Sequence, residues 1–187
     1  MTNLPTLTIY FGPSQGDNQF SLKVVLSDTE VPVTCSLTPP FDLSYAPLVL
    51  RALNARQYPD YPGNERLFKP KDDRTQLVAT LRALGLWSDT IDAVAADIHV
   101  RLGQMFGRAL LADTSVEGYF NKLYDAAIQS GGGEVILCFD PEAKALAALP
   151  WEVTHIASQP LLLAKGVVLN CTRVILFPHA LPPPRPI

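Results

Sequence analysis

The chain has little of what most catalytic and nucleic-acid-binding proteins depend on. Among 187 residues there are three histidines and three cysteines, Lys and Arg number 15 against 18 Asp and Glu, and the net charge is −3. The basic residues are scattered, so no concentrated positive surface exists to grip a phosphate backbone, and direct nucleic-acid binding is not expected. No apolar run approaches the roughly 20 residues that cross a bilayer. The start, Met1-Thr2-Asn3-Leu4-Pro5, lacks a basic stretch followed by an apolar one, so no secretory leader is read there. Cys35, Cys138 and Cys171 are odd in number and form no C-x-x-C pair, which suits a reducing compartment. A cytoplasmic protein with no membrane partner is therefore expected. No internal repeat is visible.

What the chain has is a globular composition, 48% hydrophobic and 18% charged, and a domain of this size buries roughly 70% of its unfolded surface. A single α/β domain is expected over 1–178. Its first part, 1–38, is rich in β-formers. Thr6–Phe11 and Gln19–Leu26 alternate around the turn-forming Gly12–Asn18, which predicts an N-terminal β-hairpin. A third strand is expected over Val31–Leu37, with Pro32 placing it at a sheet edge.

The stretch 43–130 reads as mostly helical. A helix is expected around Leu43–Arg56, followed by a loop over 57–74 that contains Pro59, Pro62, Gly63 and Pro70. Thr75–Leu84 puts Leu77, Leu81 and Leu84 on one helical face, with Gly85 past the end. Ile91, Val94, Ala95, Ile98, Leu102, Met105, Phe106 and Ala109 follow helical spacing and predict one long helix capped by Ser88 or Asp89. Thr114-Ser115-Val116-Glu117 has the capping-box form, and Gly131-Gly132-Gly133 reads as that helix's stop.

Glu134–Phe139 is a short apolar run suited to a buried, central strand, and Asp140-Pro141-Glu142 opens a brief helix. Leu161–Leu163 and Val167–Phe177 read as a hairpin turned at Lys165-Gly166, and the proline-rich 179–187 as a linker. The fold class is α+β (mixed α/β): a partly antiparallel sheet covered by three to four helices.

A cysteine hydrolase requires a thiol within reach of a histidine, so Cys138 with His155, or Cys171 with His179, must be weighed. Both thiols sit in apolar runs, where desolvation disfavours the thiolate and a core role is expected. His99 lies within a helical pattern, and the three histidines have no zinc-ligand spacing, so neither a metal nor a cofactor is expected. Gly131-Gly132-Gly133 follows a helix and precedes a strand, the reverse of the phosphate-cradling order. Leu149-Pro150-Trp151-Glu152 stands apart. Trp151 is either plain core beside a surface Glu152, or Glu152 is partly buried and accepts hydrogen bonds from backbone amides or Arg173.

The run from Leu102-Gly103-Gln104-Met105-Phe106-Gly107-Arg108-Ala109-Leu110-Leu111, through Glu134–Asp140, to Leu146-Ala147-Ala148-Leu149-Pro150-Trp151-Glu152 and Arg173 resembles the front section of CHAT-domain proteins. These are caspase-like cysteine peptidases, often attached to helical-repeat arrays and used in bacterial signalling or immunity. The resemblance covers about Val100–Phe177. It implies a structural or interface motif at Leu149, Pro150, Trp151, Glu152 and Arg173, and a peptidase core as partner, in the same chain or as a separate subunit, with helical-repeat or sensor proteins beyond it. The family's catalytic His-Gly element and cysteine find no match, since His179 is followed by Ala180. No catalytic residue is therefore assigned, and the chain is expected to be a fragment, a cleavage product or a separate subunit of such a peptidase. Two other functions remain open: an interaction module binding through the 57–74 loop, and an autonomous cysteine hydrolase using Cys138 or Cys171.

Overall fold

The computed structural model describes residues 4–27, 31–57, 71–156 and 159–176, with the side chains of 71–74 excepted. The loop expected over 57–74 and the linker over 179–187 therefore lie largely or wholly outside the described residues. Gln57 closes one helix, and 71–74 begin the next.

The fold is a mixed α+β architecture with a five-stranded sheet in the order β3-β2-β1-β6-β9, formed by β1 (Thr6–Gly16), β2 (Gln19–Leu26), β3 (Val33–Leu37), β6 (Gly133–Phe139) and β9 (Leu169–Ile175). The first three strands are antiparallel neighbours, whereas β6 runs parallel to both β1 and β9. The N-terminal hairpin is present, but β1 continues past Phe11 through irregular register to Gly16. The reversal itself is Asp17-Asn18, both at positive φ, as the tight turn that suits twisted strands requires. β3 starts after Pro32 and lies at the sheet edge. β6 is flanked on both sides, although the middle place belongs to β1.

Side chains alternate along β1 and β2, and Leu7, Ile9, Phe11, Phe20, Leu22, Val24 and Leu26 turn inward to one core with Val135, Leu137 and Phe139 of β6. Onto this face pack α3 (Ile98–Leu110) and α4 (Thr114–Ser130), with α1 (Ala46–Gln57) and α2 (Lys71–Ala83) adding to the helical layer. α1 follows a single 3-10 turn at Leu43–Tyr45 and carries Pro47 in its first turn, where its missing N–H costs nothing. α2 ends in a Schellman motif: Gly85 at positive φ donates to the Arg82 carbonyl while Leu86 donates to Leu81. α4 spans the expected residues, but its cap is Asp113, whose carboxylate accepts from the Ser115 N–H.

Two expectations from periodicity are corrected. The long helix capped by Ser88 or Asp89 does not exist before Asp97. Its first part is a small hairpin of β4 (Trp87–Ser88) and β5 (Ala93–Val94), turned with Asp92 at positive φ and tied to α2 by Arg82–Asp89. Ile91, placed by spacing on the buried face, is exposed. Likewise Leu161–Leu163 is not a strand. It belongs to 3-10 turns over Leu161–Gly166, which bury Leu161 and Ala164, and the strand that follows pairs with β6. A short hairpin does occur earlier, between β7 (His155–Ile156) and β8 (Gln159–Pro160). No helix among the described residues is long and apolar enough to cross a membrane.

Candidate functional site

β6 ends at Phe139, and Asp140 caps a 3-10 turn over Pro141–Ala143 by accepting from the Glu142 N–H. The short helix α5 (Lys144–Ala147) follows. A helix this short leaves most of its carbonyls without intrahelical donors, and these orphans must be satisfied from elsewhere. The Leu149-Pro150-Trp151-Glu152 segment and Arg173 do so. The Trp151 indole Nε1–H donates to the Leu146 carbonyl at 2.8 Å. Arg173, reaching across from β9, donates from Nη1 to Ala147 O at 2.6 Å and from Nη2 to Leu149 O at 2.5 Å.

The same guanidinium holds both oxygens of Glu152, through Nε to Oε1 and through Nη2 to Oε2 at 2.6 Å. Its Cζ also lies over the Phe139 ring, 5.6 Å from the centroid. This fork-to-fork pairing is the strongest geometry an arginine and a carboxylate form. Burial alone would raise the Glu152 pKa, but the Arg173 hydrogen bonds and charge outweigh it and hold the carboxyl below its ordinary value. Of the two readings open for Glu152, partial burial against Arg173 is the observed one.

Trp151 is buried at 2% exposure and sits between Phe11 of β1 and Phe106 of α3, at centroid distances of 4.9 and 5.0 Å. Phe11 in turn stacks on Phe139 at 4.6 Å. The tryptophan therefore ties three elements together: the sheet, α3 and the turn after α5. Pro150, with φ near −83°, precedes the 3-10 turn Trp151–Val153, and Leu149 is fully buried. All five residues of the motif thus belong to one clasp at the end of the sheet.

Two glycines given no role above complete it. Gly103 and Gly107 lie one helical turn apart on α3, where a Cβ would come within 2.1 Å of Val153 O and 1.9 Å of His155 O. The backbone after the clasp runs directly against the helix there. The legible signal was the four-residue spacing, which places both glycines on one face.

The candidate nucleophiles fall elsewhere. Cys138 is buried in β6, and desolvation raises its pKa. Cys171, half-buried in β9, is pushed up to about 11, chiefly by desolvation and then by the Glu152 charge. His155 is buried against α3, with its Nδ1–H donating to the Val153 carbonyl at 2.7 Å. His99 is exposed on α3. His179 lies outside the described residues. Among the described residues no three His, Cys, Asp or Glu side chains converge as a metal site would require. Comparison of the chain with protein-family models, curated proteins and solved structures finds no match.

Proposed function

We propose that the chain is the non-catalytic N-terminal section of a CHAT-type caspase-like cysteine peptidase, a regulatory or structural platform in cytoplasmic bacterial signalling or defence. The observation that supports this reading is the clasp: the residues whose sequence resembles the family's front section, Trp151, Glu152 and Arg173, use every polar atom for holding structure rather than for presenting a reactive group. The desolvation of both thiols, which raises their pKa and disfavours the thiolate, supports the non-catalytic part. The partner on this reading is the peptidase core, in the same chain or as a separate subunit, with helical-repeat or sensor proteins beyond it.

The test is association with the caspase-like core encoded with this chain, measured by titration calorimetry between the two purified parts. Binding is expected, and Arg173→Ala, which removes the intramolecular bonds that hold the β9 end of the clasp in place, is expected to weaken it at least about tenfold by loosening the docking face. Absence of binding by the folded wild-type chain would refute the docking role.

A further inference from the structure

The two edges of the sheet differ. At one, β3 has five residues, follows Pro32 and exposes Thr34 and Ser36, the devices by which edge strands avoid new partners. At the other, β9 has seven residues without proline or glycine, and its single charge, Arg173, is already held by Glu152. Of the ten large apolar side chains exposed among the described residues, five fall between Leu163 and Leu176: Leu163, Val168, Val174, Ile175 and Leu176. Among the described residues β9 pairs with β6 alone.

The direction of its backbone groups follows from one hydrogen bond. Leu176 N–H donates to Phe139 O of β6, so even-numbered residues of this strand turn their amides and carbonyls toward β6. By alternation, Leu169, Cys171, Arg173 and Ile175 aim theirs at the open edge.

We infer that this edge takes a second copy of the same strand, antiparallel about a two-fold axis at Thr172, joining two sheets into one. The choice of occupant rests on self-complementarity. In that register Leu169 faces Ile175 of the second copy and Cys171 faces Arg173, so every outward backbone group finds a partner. The exposed Val168 meets the exposed Leu176, and Asn170 meets Val174. No like charges oppose each other. A slip to an axis at Arg173 would set two guanidinium-bearing residues directly opposite, which is unfavourable. An interface of this kind is isologous, as a closed dimer requires. It goes beyond the proposed function and does not depend on it.

Thr172 would face its own copy as a non-hydrogen-bonded pair, with Cα atoms about 4.5 Å apart, inside the span of a disulfide. Asn170 would lie four residues out of step with its own copy, roughly 13 Å away. The full chain is therefore expected to sediment as a concentration-dependent dimer, and Val174→Lys, which adds an exposed charge to the edge, to shift it toward monomer. Under mild oxidation Thr172→Cys should form disulfide-linked dimer at least about tenfold faster than Asn170→Cys or the wild-type chain, since only position 172 meets itself. A wild-type chain that stays monomeric at all concentrations would overturn the inference. Equal cross-linking at 172 and 170 would overturn the register and the two-fold with it.

Discussion

Replacing Trp151 with alanine is expected to lower the unfolding free energy by about 3 to 5 kcal/mol, the range for removing a large buried aromatic side chain. The size of the effect follows from its contacts. The ring is buried between Phe11 and Phe106, and its N–H satisfies the Leu146 carbonyl. Alanine would open a cavity where the sheet, α3 and the turn after α5 meet, and none of the three can close on it without leaving the others. Trp151→Phe should lose less, about 1 to 2 kcal/mol, because a ring remains and Leu146 O keeps a bond from the Leu149 N–H. Denaturant unfolding checks both. A loss below about 1 kcal/mol for alanine would show that the clasp does not organise this end of the fold.

The second large effect is expected from the smallest change. Gly107→Ala adds one methyl to α3, where helix propensity alone would favour alanine by about 1 kcal/mol. Instead the new Cβ would sit 1.9 Å from the His155 carbonyl oxygen, which is backbone and cannot rotate away. β7 must then lift from α3, and a net loss of about 2 to 3 kcal/mol is expected, at the upper end for overpacking. Gly118→Ala in α4 is the control, since its Cβ would meet nothing within 4 Å. That variant should gain up to about 1 kcal/mol. The propensity gain is the same at both positions, and the contact at Gly107 decides the difference in sign. If Gly107→Ala were as stable as the Gly118 variant, the close approach of β7 to α3 would be wrong.

How far the sequence foretold this depends on whether the deciding contact is local. The β1–β2 hairpin, the end of α2 at Gly85 and the stop of α4 at Gly131 were legible, because turn and cap chemistry is set within a few residues. The cap at Asp113 was missed by one position, since Asp113, Thr114 and Ser115 all offer suitable oxygens. The start of α3 was missed for a different reason. Ile91, Val94, Ala95 and Ile98 satisfy helical spacing, yet Val94 is buried from a two-residue strand and Ile91 is exposed. Spacing cannot distinguish a helix from a hairpin that happens to bury the same residues.

β9 shows the limit most clearly. Its apolar, β-branched run announced a strand, but its parallel partner β6 lies some thirty residues earlier across a crossover, and no turn residue encodes that choice. The nearest apolar neighbours, Leu161–Leu163, were the natural local guess. They instead form a helical turn whose Leu161 carbonyl accepts from the buried Tyr124 hydroxyl at 2.7 Å. Of the clasp itself, the Glu152–Arg173 pair was foreseeable from residue types. That Arg173 also satisfies the carbonyls of Ala147 and Leu149 was not, because it depends on where α5 ends.

The claim that this chain carries structure rather than catalysis is tested most directly by its thiols. Desolvation pushes the Cys171 thiol up to about 11 and shifts Cys138 in the same direction, so each holds less thiolate at neutral pH than a free thiol. Iodoacetamide at pH 7 should therefore alkylate Cys171 at least about tenfold more slowly, and the buried Cys138 also more slowly, in the folded chain than in the unfolded one, read by mass spectrometry of the two peptides. A Cys138 or Cys171 that reacts faster in the folded chain, together with peptide cleavage lost on its alkylation, would contradict the account and make this chain a hydrolase in its own right.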